Sequence, residues 1–112
     1  MNETPIVRRT LVINDKDPLG LHMRPGLALV KLALRYKCKI DIVREWDRET
    51  ERETVRADAK SIFDLMTLVA EPGVEITLEA QGEDAEAAVE AIARFIDAGF
   101  PMDETKSQKK PQ

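Results

Sequence analysis

The chain reads as an α+β domain: a four-stranded antiparallel sheet with three helices on one face, its elements ordered βαββαβα. Three observations predict this. Apolar residues recur at helical spacing in three segments and at strand spacing between them. The segment Val74-Glu75-Ile76-Thr77-Leu78-Glu79-Ala80 alternates strictly, which marks a strand with one buried and one wet face. At 112 residues, the chain is long enough for one core and too short for two.

The first strand is Ile6 to Ile13, rich in β-branched and apolar residues and closed by Asn14-Asp15-Lys16-Asp17-Pro18. A helix follows from Met23 to about Tyr36. Its apolar stripe is Met23, Leu27, Val30 and Leu34, widened by Leu29 and Ala33. Proline is tolerated only in a first turn, so Pro25 sets the helix start close to His22. Lys39 to Val43 is a short strand. The next stretch places Arg44, Arg48, Arg52 and Arg56 every four residues, a spacing that suits helical ion pairs. Trp46 and Val55 alone offer apolar surface there, and a helix without an apolar face gains little from packing. The reading preferred is two strand ends joined by a solvated hairpin tip near Asp47 to Glu51.

The second helix opens at Ser61, a good N-cap, with Asp64 imitating the acidic partner of a capping box. Ile62, Leu65, Met66 and Val69 form its buried stripe, and Pro72-Gly73 ends it. After the alternating strand, Glu83, Asp84 and Glu86 suit the positive end of a last helix lined by Ala85, Ala88, Val89, Ile92 and Ile96. Gly99 stands where a left-handed C-terminal glycine belongs. Residues 1–100 make the domain, and 101–112 form a tail with almost nothing to bury.

Composition removes several function classes. The net charge is −4 and aromatics are 4%, without the basic stripe or stacking aromatics of a nucleic-acid binder. One cysteine and one histidine cannot build a typical zinc site, and no cofactor motif is present. Every apolar run is too short to span a bilayer, and the N-terminus lacks a secretory pattern, so a cytoplasmic location is the default.

The dense signal is Leu19-Gly20-Leu21-His22-Met23-Arg24-Pro25-Gly26. With His22 as N-cap, the amides of Met23 and Arg24 precede the helical hydrogen-bond ladder and form an anion site at the positive helix end. Arg24 adds a fork of donors suited to a phosphoryl group. A neutral imidazole beside them is a candidate nucleophile. On these residues alone, a histidine in a surface turn explains as much.

A resemblance to a known family shifts that balance. Gly20-Leu21-His22-Met23-Arg24-Pro25 resembles the Gly-Leu/Ile-His-Ala-Arg-Pro signature of the HPr family, the histidine phosphocarriers of the phosphoenolpyruvate-dependent phosphotransferase system. Ala57 to Met66 resembles its second block, and Gly73 to Asp84 its third. The likeness runs from about Ile6 to Phe100, with the blocks in order. It implies an open-faced β-sandwich and a stoichiometric carrier rather than a turnover enzyme. On the same ground, His22 would accept a phosphoryl group on Nδ1 from the system's phosphorylated first enzyme and pass it to a downstream acceptor. Arg24 would steady that group. Ser61 stands at the family's regulatory serine, the target of a serine kinase in some bacteria, although a plain N-cap also accounts for it. Met23, Ile62, Phe63 and Met66 fall where partners dock. Ile62 also lies on the core stripe, whereas Phe63 lies off it.

The chain departs from the pattern in places. Met23 replaces a small residue, the hairpin between Val43 and Ala57 is longer than in sugar-type carriers, and Phe95 to Phe100 with Leu19-Gly20 look like the nitrogen-related branch. A rival reading is a regulatory docking module switched at Ser61, which would leave His22 without a task.

Overall fold

The computed structural model describes residues 5–14, 20–45, 48–49 and 51–101. Leu19, Trp46, Asp47, Thr50 and the tail from Met102 onward lie outside the described residues. The elements are β1 (Ile6–Val12), α1 (Met23–Ala33), β2 (Lys39–Arg44), β3 (Val55–Asp58), α2 (Ile62–Met66), β4 (Glu75–Gln81) and α3 (Ala85–Asp97). The sheet order is β1-β4-β2-β3, antiparallel throughout. The predicted βαββαβα order and one-faced sheet are therefore observed.

Alternation decides which face is covered. Ile76, Leu78 and Ala80 of β4 and Ile40 and Ile42 of β2 are buried and share one core with all three helices. The opposite face carries Arg8, Glu79, Asp41 and Arg56. There Arg56 Nη1 donates to Glu79 at 2.7 Å and Asp41 at 3.1 Å, and Arg8 Nε donates to Glu79 at 3.0 Å. The hydrogen bonds from Arg56 and Arg8 hold the Glu79 carboxyl below its ordinary pKa. The core closes at the C-terminal end with Phe100 edge-on against Phe95, ring centroids 5.8 Å apart.

Helix α1 turns a different side inward from the one its strongest stripe suggested. Pro25, Gly26, Leu29 and Ala33 are buried, whereas Met23, Leu27 and Leu34 are exposed. The two sets lie roughly a third of a turn apart at 100° per residue. Small residues win the inward side because they let α2 approach. A Cβ built on Gly26 would lie 2.9 Å from both Ile62 Cδ1 and Met66 Cε. The helix also ends at Ala33, short of Tyr36, as Arg35 and Tyr36 N–H donate to Leu32 and Ala33 carbonyls in a tighter turn.

Helix α2 is shorter than predicted, and Val69 does not belong to its stripe: it is exposed, with φ +50. The ladder tightens at its end: Thr67 and Leu68 N–H donate to the carbonyls three residues back, of Asp64 and Leu65, and the Thr67 hydroxyl also donates to the Asp64 carbonyl. Beyond it, Pro72 has no N–H to offer the Leu68 carbonyl, and Arg44 Nε donates to that carbonyl at 2.6 Å. Arg44 is only 6% exposed, so the run of arginines is not simply a solvated surface. The β2–β3 hairpin itself is as predicted, with Ile42 opposite Ala57, and Arg48, Glu49 and Glu51 of its tip are exposed.

Helix α3 buries Ala85, Ala88, Val89, Ile92 and Ile96 as expected, and Gly99 is left-handed at φ +86. Asp84 is its N-cap residue, but the carboxylate serves the turn before β2, accepting from Lys37 and Cys38 N–H at 2.9 Å each. Those amide bonds hold its pKa down. Burial, with the nearby Asp84, raises the Cys38 thiol to about 11, which keeps it protonated and un-nucleophilic at neutral pH.

Candidate functional site

His22 is the N-cap of α1, with an extended backbone (φ −110, ψ −169) and an imidazole that does not cap the helix. Its carbonyl accepts the first bond of the helical ladder, from Gly26 N–H at 2.8 Å. The N–H groups of Met23 and Arg24 therefore precede the ladder, and the third helical residue, Pro25, has none. Pro25 is fully buried, which fixes the first turn against the core and presents the helix end outward. Arg24 is exposed on that same turn. His22, the first-turn amides and Arg24 thus all belong to one helix terminus.

A second loop supports the first. Leu21 N–H donates to the Ala70 carbonyl at 2.9 Å, and His22 N–H donates to the Gly20 carbonyl at 3.1 Å. Gly20 is left-handed (φ +68), and a Cβ there would lie 2.4 Å from the Ala70 oxygen. The loop after α2 is thereby pressed against the residues leading into His22. That same loop hangs on the buried Arg44, whose Nη1 has no hydrogen-bond partner among the described residues. Sequence reasoning missed this support, because a long-range bond to a carbonyl leaves no mark in periodicity.

Ser61 is the N-cap of α2. Its Oγ accepts from Asp64 N–H at 3.3 Å, which is half of a capping box. The Asp64 carboxylate goes instead to Asp58 N–H at 3.0 Å, while Ser61 N–H donates to the Asp58 carbonyl. Phe63 is 78% exposed, in keeping with its place off the stripe. Ile62 and Met66 are half-buried against Gly26 of α1, and Met23 is about half exposed. Exposed Leu27 and Val69 add apolar surface that the sequence reading had assigned to the core.

The chain is similar to known proteins in sequence and in fold. A family model described as "PTS HPr component phosphorylation site" matches residues 7–98. The chain is similar to the phosphocarrier protein HPr of Treponema pallidum (strain Nichols), 35% identical over 95 residues, covering 85% of this chain and 96% of the relative. It is also similar to the phosphocarrier protein NPr of Shewanella violacea, 35% identical over 97 residues, covering 87% and 94%. The crystal structure of an HPr from Thermoanaerobacter tengcongensis matches with a TM-score of 0.68 at 30% identity, covering 84% of this chain and 94% of that one. Equal identity to an HPr and an NPr does not sort the chain into either branch.

Proposed function

This chain belongs to the HPr family of phosphotransferase-system phosphocarriers, and on that premise we propose that His22 is the phosphoryl acceptor. Nδ1 attacks the phosphorus of a phosphohistidine on the first enzyme. The donor's N–P bond breaks as the new one forms, and the same exchange in reverse sense passes the group to a downstream acceptor. One phosphoramidate replaces another, so the step is close to balanced, and the carrier supplies geometry and charge. The Met23 and Arg24 amides and the Arg24 guanidinium hold the phosphoryl oxygens. The observation that carries this reading is the position of His22 as N-cap, with its helix ladder beginning only at Gly26. Incubation with phosphoenolpyruvate and the first enzyme tests it: one phosphoryl group should be gained per chain. The protein acts in the cytoplasm as a stoichiometric carrier, without a cofactor.

Docking is assigned to Met23, Phe63 and the outer parts of Ile62 and Met66. Phe63→Ala should leave the melting temperature unchanged, because the ring is exposed. Its KM as a substrate of the first enzyme should rise about 30-fold, the equivalent of about 2 kcal/mol for an aromatic anchor. A fall in stability with unchanged KM would return Phe63 to the core.

The second reading, regulation at Ser61, is favoured by the partial exposure of that serine at a helix start beside the docking residues. Ser61→Asp keeps the cap, since aspartate is an equally good N-cap, so stability should hold. Transfer from the first enzyme should slow about tenfold if charge at this position opposes an acidic or apolar partner surface. Unaltered transfer kinetics would leave Ser61 as a cap and nothing more.

A further inference from the structure

We propose that Val69 is a specificity-determining contact for the phosphoryl-donating enzyme, an inference that rests on the proposed transfer at His22. Val69 is held at φ +50, where the Cβ of an L-residue crowds the backbone and a β-branched side chain is most disfavoured. Burial does not offset this, because the residue is 46% exposed. The backbone there suits glycine, so what valine adds is its side chain.

The loop that imposes this conformation is tied on three sides. Arg44 Nε donates to the Leu68 carbonyl, Glu71 N–H donates to the Val69 carbonyl at 3.2 Å, and Leu21 N–H donates to the Ala70 carbonyl. The last of these bonds sets Ala70 against Leu21, the neighbour of His22. Strain that persists in an over-determined loop next to a reactive group is the pattern of a functional position. Met23 on α1 and Phe63 on α2 are exposed apolar side chains as well. A donor that seats its phosphohistidine on His22 must cover the surface beside it. A fixed isopropyl group can be buried there with little loss of side-chain freedom. The occupant is therefore the apolar protein surface around the donor's phosphohistidine.

The test compares wild type, Val69→Gly, Val69→Asn and Val69→Ile as substrates of the first enzyme charged with phosphoenolpyruvate, alongside thermal melts. Glycine and asparagine both tolerate the left-handed region, so both variants should melt higher by about 4 °C. Both should show KM raised about tenfold with kcat unchanged, and isoleucine should retain the wild-type KM. Because asparagine keeps bulk without apolar character, a rise in KM for glycine alone would mean loop loosening and would overturn the proposal. Higher melting with unaltered KM in both variants would overturn it too, as would the absence of any gain in melting temperature. A slowed transfer only to the downstream acceptor would refute the donor as occupant. Wild type that takes no phosphoryl group at all marks a different failure, that of the carrier reading itself, and this inference falls with it.

Discussion

His22→Ala is expected to take up no phosphoryl group from the charged first enzyme, while wild type gains one, seen as a single mass increment. The wild-type adduct should be labile in acid and stable in alkali, as a phosphoramidate on imidazole is and a phosphoserine is not. The fold should survive the substitution. Losing an N-cap side chain typically costs about 1 kcal/mol, and the His22 imidazole makes no capping bond to lose. The loss of uptake therefore reports on chemistry and not on folding, which a melting curve of the variant checks. Arg24→Ala should slow uptake without preventing it, because the first-turn amides remain as donors. An adduct that persists in His22→Ala would move the acceptor elsewhere and end the assignment.

Gly20→Ala should produce the largest loss of stability among single methyl additions. The new Cβ would meet the Ala70 oxygen at 2.4 Å and Glu71 Cα at 2.8 Å, both backbone atoms that cannot rotate away. Relief requires the two loops to part, breaking the bond from Leu21 N–H to the Ala70 carbonyl. With the left-handed strain at φ +68 added, the cost should reach about 3 kcal/mol or more. Gly73→Ala is the control, since Gly73 is also left-handed, at φ +93, yet its added Cβ would meet nothing within 4 Å. Its cost should be the conformational part alone, about 1 kcal/mol. Urea denaturation of the pair separates clash from strain, and equal losses would mean that the loops are not in close contact. The folded fraction of Gly20→Ala should also transfer phosphoryl groups poorly, because a displacement of about 1 Å can cost a hundredfold in rate.

Much of this architecture could be read from the sequence. The strict alternation of β4, the placement of Pro25 just after His22 and the serine before Ile62 are local signals, and each fixed an element or its start. What could not be read has a common cause in long-range contacts. Helix α1 carries more apolar residues than one face can bury, and the side turned inward is chosen by the fit of Ile62 and Met66 over Gly26. Periodicity ranks the larger side chains first and so favoured Met23, Leu27 and Leu34, which are exposed. The loop after α2 is held by an arginine 24 positions before Leu68 in the chain. The anion site proposed at His22 was legible as a possibility from the residues, and the family resemblance gave it a chemistry. The loop behind it, with Arg44, Val69 and Ala70, was not legible, because its order comes from bonds to carbonyls that any residue possesses.

The position of β4 bears on how the protein is made. It lies between β1 and β2, and among the described residues β1 has no other neighbour in the sheet. Ile6 pairs with Gln81, far along the chain. At roughly 5–20 residues per second of translation, the first strand leaves the ribosome several seconds before its partner exists. Until then, of the sheet, only the β2–β3 hairpin can pair. A nascent chain halted before Glu75 would lack the strand that joins β1 to β2, so assembly of the sheet must wait for the C-terminal third.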